Sequence, residues 1–385
     1  RTMASARLFI IAATLVVLAE GFARHAPCGK SRLLSARDSR QAATLVSTEE
    51  AVVTADAWLA GLTNATLAQT LSAIFEATRK VSSKIRTASC DSQMCFNALG
   101  RDEQLAIDLL ADTVMFEGLR EAGTVVTASS TIDPYEMPLE GSGFSVAFDP
   151  LDSSASVDVN FAVGASWAVW HGAHLTGVTG RGVAAAGLAT FGPRTAMLVA
   201  SEEHDEVIEF VLMKNDDGGS WEWLQSNTFS VIGEDDPFRR AVFAPGNLRA
   251  TVDNAGYRAL VDHYLESRYH LRYSGGMVPD VVQLVVKGCG IFTNPHGGEA
   301  APARLRLLYE AIPAAYVIEK AGGASSDGAR SLLDVVIKDT DQRTQVALGS
   351  KLEVQRFEDM VGRAKHPGYT HEADDDSASG THHDA

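Results

Sequence analysis

The 385-residue sequence has no apolar run long enough to cross a bilayer. The one candidate, Leu8 to Ala19, spans 12 residues, against about 20 for a membrane helix. Lying behind Arg1 and Arg7, it has the build of a signal-peptide core, which is cleaved and takes no part in the fold. Cysteine is sparse, 4 in all, which excludes a secreted disulfide scaffold. Positive charge is also short, with 33 Lys and Arg against 49 Asp and Glu. The first 40 residues hold 7 of those basic residues and only 2 of the acids, leaving the remainder near −21. That balance argues against a general nucleic-acid or membrane-surface role for the mature chain, and a site for an anionic substrate must gather metal and a few local cations. No internal repeat is present. With 45% hydrophobic and 21% charged residues, the chain is long enough for one large soluble domain or two ordinary ones.

What is present centres on Gly143 to Ser154. Phe144, Val146 and Phe148 alternate with small residues in the pattern of a buried strand, and Pro150 has no N–H for the ladder, so the strand is expected to end at Asp149. Asp149 and Asp152 then emerge close enough to share a divalent cation, followed by small residues that let backbone N–H groups approach an anion, which is the layout of metal-assisted phosphoryl chemistry. An Asp-rich turn with no chemistry is the plainer reading. Upstream, helical spacing predicts one helix over 66–85 and a second from Asp102 to about Leu119. Asp108 and Asp112 lie one turn apart on a common face of the second, either a solvated face or part of a site. Strands are expected at Val157 to Val163, Ser166 to Trp170, Ala196 to Ala200 and Trp221 to Ile232, with a subdomain boundary at the acidic turn Gly233 to Phe238. The second half reads as strand at Ala241 to Ala244, helix at Ala255 to Tyr269, strand near Val281 to Val286, and a long apolar helix from Leu305 to Gly322 interrupted by Pro313. The alternation predicts a layered α/β architecture with a more antiparallel first half. Cys90 and Cys95 share a polar segment and can form a local, labile bridge, whereas Cys289 reads as buried core. The polar stretch from His366 to Ala385 is expected to be disordered.

The run Phe148-Asp149-Pro150-Leu151-Asp152, with Tyr273 to Asp280 and Leu305 to Glu310, resembles the fructose-bisphosphatase family over residues 60 to 365. Gly275 to Asp280, Ala244 to Thr251 and Thr344 to Ser350 favour its sedoheptulose-type branch. The resemblance implies a layered α-β-α-β-α fold, with a leader at 1–40, a metal and phosphate subdomain at 41–235, a sugar-phosphate subdomain at 236–365 and a tail at 366–385. It implies a Mg²⁺-dependent sugar bisphosphatase of the Calvin cycle. Asp149, Asp152, the Leu151 carbonyl and Glu310 are then Mg²⁺ ligands, Asp102 is a ligand of a further ion, and Asp108 helps deprotonate the attacking water. Asp152, Ser153 and Ser154 meet the 1-phosphate beside Arg306, and Met277 lines the sugar pocket. Asn247, Arg272 and Tyr273 take the distal phosphate, Arg272 across a subunit interface of a homo-oligomer, dimer or tetramer. Arg304 stands where the family usually has Lys. Cys90 and Cys95 match a pair reducible by thioredoxin. The leader, with Phe22 at the junction between the apolar core and a basic, Ser-containing stretch, resembles the bipartite import signal of complex plastids; the alternative is ordinary secretion.

Three departures stand out. The family's Ser-Glu-Glu, whose first Glu bridges metals and whose second helps activate water, aligns with Ser130-Thr131-Ile132 in a shorter loop. A usual Gly is Ser153 and a usual Ser is Ala155, and Arg101 is an added residue beside Asp102. Loss of the Glu pair is expected to weaken metal binding and hydrolysis unless Asp133 or Glu136 substitutes.

Overall fold

The computed structural model describes residues 53–87, 101–215, 219–230 and 241–362. The leader, the Cys90 and Cys95 pair, the Gly233 to Phe238 turn and the C-terminal tail lie outside the described residues, as does the side chain of Asp102.

The described residues begin with α1 (Ala55–Ala60) and two long helices, α2 (Ala65–Thr87) and α3 (Arg101–Ala122), the latter two running slightly past the limits their periodicity predicts. The start of α2 is fixed twice over: Asn64 Oδ1 accepts the Leu67 N–H at 3.1 Å, and Glu203 accepts the Thr63 and Asn64 N–H groups at 2.6 and 3.0 Å. Eight strands follow: β1 (Val125–Ser130), β2 (Met137–Pro138), β3 (Phe144–Asp152), β4 (Val163–His171), β5 (Val183–Phe191), β6 (Thr195–Ser201), β7 (Val207–Lys214) and β8 (Trp221–Phe229). They make one sheet in the order β2-β1-β3-β4-β5-β6-β7-β8, antiparallel except for the β1–β3 pair. The second sheet, in the order β10-β9-β11-β13-β12, is built from β9 (Val242–Pro245), β10 (His270–Leu271), β11 (Ile291–Asn294), β12 (Ala324–Ser326) and β13 (Val346–Gly349). Its helices are α4 (Ala255–Glu266), α5 (Met277–Lys287), α6 (Ile312–Lys320) and α7 (Lys351–Met360).

Three apolar clusters stack these elements into five layers. Leu71, Ile74 and Phe75 of α2 and Met115 and Leu119 of α3 cover the Val146, Phe148 and Trp167 face of the first sheet. Its other face, with Ala147, Ala168 and Leu188, packs on Val278 and Val281 of α5 and Val317 of α6, which also meet Phe292 and Leu348 of the second sheet. Tyr257 and Tyr264 of α4 and Phe357 of α7 cover the far side of that sheet through Phe243, Ile291 and Ala347. The order is therefore α-β-α-β-α, the layered architecture expected. Each fully buried Leu, Ile or Phe in these layers contributes roughly 1.5–3 kcal/mol. Among the described residues, no helix is long and apolar enough to cross a membrane.

Four local expectations need correction. The central strand does not end at Asp149; β3 runs on to Asp152 through a bulge, with Asp149 opposite Ser166 and Asp152 opposite Gly164, and Pro150 sits inside that irregularity where a missing N–H costs least. Val157 to Val163 is not a strand, because a 3₁₀ turn at Ser154–Ser156 and a left-handed Asn160 (φ 59°) curl the chain back before β4 begins at Val163. The apolar stretch near Val281 to Val286 is helix α5, closed by Gly288 at φ 70°. Pro313 starts rather than interrupts a helix: a π-helical turn at Leu307–Ala311 leads into α6, whose first turn holds the proline.

Candidate active site

The bulge at the end of β3 places two buried carboxylates, Asp149 and Asp152, at the edge of the interior where the two sheets meet α5. Asp149 Oδ1 accepts the Thr131 hydroxyl at 2.9 Å and the Leu151 N–H at 3.3 Å. Asp152 Oδ2 accepts the Val278 N–H at the start of α5 at 2.7 Å. Glu310, in the π-helical turn, accepts the Arg306 N–H at 2.7 Å, with the Arg306 guanidinium 3.7 Å away. Arg306 also donates to the Thr131 carbonyl at 3.0 Å and lies over the Tyr309 ring. From α3, Asp108 Oδ2 accepts the Ser154 hydroxyl at 2.9 Å. One turn on, Asp112 is buried against Ser130.

These acids are held in neutral-leaning surroundings. Burial is the main cause throughout, and the Asp149 charge adds to it, pushing Asp152 up to about 7 and Glu310 to about 8. Asp149 is itself shifted upward by burial, against the pull of the Thr131 hydrogen bond and the Arg306 charge. Burial likewise raises Asp108 and Asp112 to about 6 each. Asp108 Oδ1 and Asp112 Oδ1 are buried and have no hydrogen-bond partner among the described residues. A set of hard carboxylate oxygens, short of positive charge and with two oxygens unpartnered, has the donor chemistry of a hard divalent cation. Among the described residues, no group of three or more His, Cys, Asp or Glu side chains is positioned to hold a metal ion.

The chain after Asp152 turns sharply at Ser153, which adopts the left-handed conformation at φ 63° and ψ 40°. Its hydroxyl donates to the Gly275 carbonyl at 2.8 Å, tying this turn to the segment before α5. That segment is itself pinned by Asp280, whose two carboxylate oxygens accept the Ser274 N–H at 3.0 and 3.1 Å. Gly276 is packed so closely that a Cβ there would lie 3.0 Å from the Ser153 hydroxyl and 3.1 Å from Asp152 Oδ2. Met277, the first residue of α5, is buried beside them.

The structure thus brings Asp108, Asp149, Asp152, Ser153, Ser154, Met277, Arg306 and Glu310 to one place. Leu151 is buried between the two β3 carboxylates. Tyr273 and Asn247 form a second group, the Tyr273 hydroxyl reaching the carbonyl of Gly246 at 3.5 Å. Asn247 Nδ2 is engaged by the Pro295 and Ala301 carbonyls at 2.9 and 3.0 Å. The Arg272 guanidinium turns back to the Leu271 carbonyl at 2.9 Å, and Arg304 is exposed; neither is paired with an acid of the first group. The sequence reading did not single out Thr131 as a partner of Asp149 or Asp280 as the anchor of the Ser274 turn. It left Asp112 open, and the signal was there in its one-turn spacing from Asp108.

Comparison with known proteins places this geometry. Residues 47–225 match the N-terminal domain of fructose-1-6-bisphosphatase and residues 237–362 its C-terminal domain. The chloroplastic sedoheptulose-1,7-bisphosphatase of Triticum aestivum is 50% identical over 74% of this chain and 70% of its own length. The class 1 fructose-1,6-bisphosphatase of Citrifermentans bemidjiense is 36% identical over 76% and 86%. A crystal structure from Toxoplasma gondii assigned as a sedoheptulose-1,7 bisphosphatase superposes with a TM-score of 0.68 at 31% identity, covering 80% of this chain and 98% of that one. With both domains matched and relatives of this identity along most of its length, the chain belongs to the fructose-1,6-bisphosphatase family and is a phosphoric monoester hydrolase of the sugar-bisphosphatase class.

Proposed function

We propose that this enzyme removes the 1-phosphate of sedoheptulose 1,7-bisphosphate, leaving sedoheptulose 7-phosphate, with Mg²⁺ as its metal and in the Calvin cycle of a plastid. The observation that carries the reading is the gap in identity: 48–50% to chloroplastic sedoheptulose-1,7-bisphosphatases of wheat, spinach and Chlamydomonas against 36% to a fructose-1,6-bisphosphatase.

In this reading Asp149, Asp152, Glu310 and the Leu151 carbonyl hold Mg²⁺, with Asp102 at a further ion. Bound there, the metal neutralises phosphoryl charge and lowers the pKa of water. The chain's own groups do the rest. Arg306, held between Glu310 and the Thr131 carbonyl, offers its charge to the 1-phosphate, and the Ser153 turn presents backbone N–H groups with those of Ser154. Asp108, oriented by the Ser154 hydroxyl, is placed to take the proton of the attacking water. Tyr273 and Asn247, grouped around Gly246, belong to the distal phosphate with Arg272 and Arg304, Arg272 across the interface of a homo-oligomer. Cys90 and Cys95 form a bridge that thioredoxin opens, and the leader directs import into a complex plastid.

A second reading, a paralogue that binds sugar bisphosphate but turns it over slowly, is favoured by one observation: Thr131, which has no carboxylate, is hydrogen-bonded directly to Asp149. Phosphate release by the purified mature chain separates the two. The primary reading expects Mg²⁺-dependent release, faster from the seven-carbon than from the six-carbon bisphosphate; binding without release leaves the paralogue.

A further inference from the structure

The loop that leads into β13 brings a second guanidinium beside Arg306. Arg306 and Arg343 face each other across an isolated antiparallel bridge, with the Leu307 N–H donating to the Gln342 carbonyl at 2.7 Å and the Thr344 N–H to the Leu305 carbonyl at 3.0 Å. Between the two side chains stands one carboxylate. Asp341 Oδ1 accepts an N–H of Arg343 at 3.2 Å and lies 3.7 Å from Nη1 of Arg306. The second contact is an attraction without a hydrogen bond, while the same Nη1 donates to the Thr131 carbonyl at 3.0 Å.

The backbone beneath this carboxylate is tied down. Asp339 accepts the Asp341 N–H on its side chain at 2.8 Å and the Gln342 N–H on its carbonyl at 3.3 Å, and Gln342 Oε1 accepts the Lys338 N–H at 2.6 Å. The Asp341 side chain, by contrast, is 57% exposed, and the contacts that hold it are the two guanidinia. Ion pairs so open to water are weak, and the carboxylate can leave them for solvent at little cost. A phosphate monoester carries more negative charge and one more acceptor oxygen than a carboxylate, and it suits the planar fork of an arginine. At this place it is the stronger competitor.

We propose that Asp341 is a displaceable counter-ion, its carboxylate holding the place at Arg306 and Arg343 that a phosphoryl group of the substrate takes, and that Arg343 is a further cation of the 1-phosphate subsite. The inference rests on the reading of Arg306 as a phosphate ligand. In the free enzyme the carboxylate offsets the repulsion between two neighbouring guanidinia. When the phosphoryl group arrives, Asp341 turns to solvent and both cations face the phosphate. The exchange involves ions alone, so it is felt in affinity and not in the chemical step. Asp341 is thus a positioning residue, whereas Arg343 touches the substrate.

The test is calorimetric titration of the full-length protein with inorganic phosphate, together with kcat and KM for Mg²⁺-dependent phosphate release from sedoheptulose 1,7-bisphosphate. Asp341→Asn is expected to tighten inorganic phosphate and to lower KM, each by roughly two- to fivefold, with kcat within about twofold of the wild type. Asp341→Glu restores a carboxylate and should bring both back toward the wild type. Arg343→Gln should weaken phosphate and raise KM by roughly threefold or more. Misfolding cannot imitate the first result, since a damaged site does not bind more tightly. If Asp341→Asn binds phosphate like the wild type or more weakly, the proposal is overturned. It fails equally if Arg343→Gln changes neither quantity. Arg306→Ala probes the reading beneath it: unchanged phosphate affinity there removes the phosphate role of Arg306 and the proposal together. If Arg306→Ala loses affinity while the Asp341 and Arg343 variants match the wild type, the role of Arg306 stands and the counter-ion exchange alone falls.

Discussion

Two arginines of this protein sit among acids, and the contrast between them is informative. Arg181, on the surface, donates to Asp334 at 2.7 and 3.3 Å and to Glu319 at 2.9 Å. Asp334 is held below its ordinary value by that bonding, and Glu319 takes two further hydroxyls, from Ser325 and Ser331. Arg306 is the one cation among the described residues that offsets the burial of Asp149 and Glu310, and part of its guanidinium is committed to the Thr131 carbonyl. There the carboxyls are driven up rather than down. The acids around Arg181 are matched by cations and donors; those at the end of β3 are left in deficit, as expected where a cation and an anionic substrate are to complete the balance.

The comparison can be broken first at its charged end. Asp149→Asn should lower Mg²⁺-dependent phosphate release by at least roughly 10²-fold, since it removes a central charge from positioned electrostatics. An assay showing near-wild-type turnover would place the chemistry elsewhere. A smaller change is expected from adding charge: Thr131→Glu with Ile132→Glu should raise release by less than about tenfold, because Ser153 and the shortened loop remain. A gain of 10² or more would show that the carboxylates absent from this loop are what limits the rate. The deficit also predicts a pH dependence in chelator. Glu310 has a folded value of about 8, above its unfolded 4.5, so its contribution to stability is full below 4.5 and is lost as pH rises through 8. Glu310→Gln should therefore gain in melting temperature relative to the wild type across that window, and a constant difference would contradict the assignment. Smallest is the matched end: Arg181→Ala should cost no more than about 1 kcal/mol, a few degrees of melting temperature, with hydrolysis unchanged.

The layered fold was legible because the helix at 65–87 carries clear periodicity and because the buried β3 and its hairpin partners alternate or run apolar, whereas on the helix at 101–122 the spacing misleads, since Leu109 and Leu110 face outward. Where the reading failed, tertiary context outweighed local pattern. Val281, Val282, Val285 and Val286 have the composition of a strand, but Gly276 before them, Pro279 in the first turn and Gly288 after them frame a helix sandwiched between two sheets. From the sequence alone Pro150 reads as a terminator, because a bulge opposite Ser166 and Gly164 cannot be seen without the partner strand. The site was legible as residue types and not as bookkeeping of bonds. Asp112 could be a solvated acid until α3 was seen turning it toward Ser130, and Asp133 and Glu136 were indistinguishable until residues 174–176 were seen to occupy one of them.

The bond from the Val278 N–H to Asp152 joins the end of the first sheet's central strand to the helix that supports the second sheet. It is charge-assisted only while Asp152 is ionised, so its strength follows the protonation of that carboxylate. Anything that keeps Asp152 charged tightens the seam between the two halves of the molecule. By reciprocity, were a cation bound at Asp152 as proposed, any movement that pulls α5 away from β3 would weaken its hold by the coupling free energy. The rigidity of the junction and the occupancy of such a site would then be linked, each read out through the other.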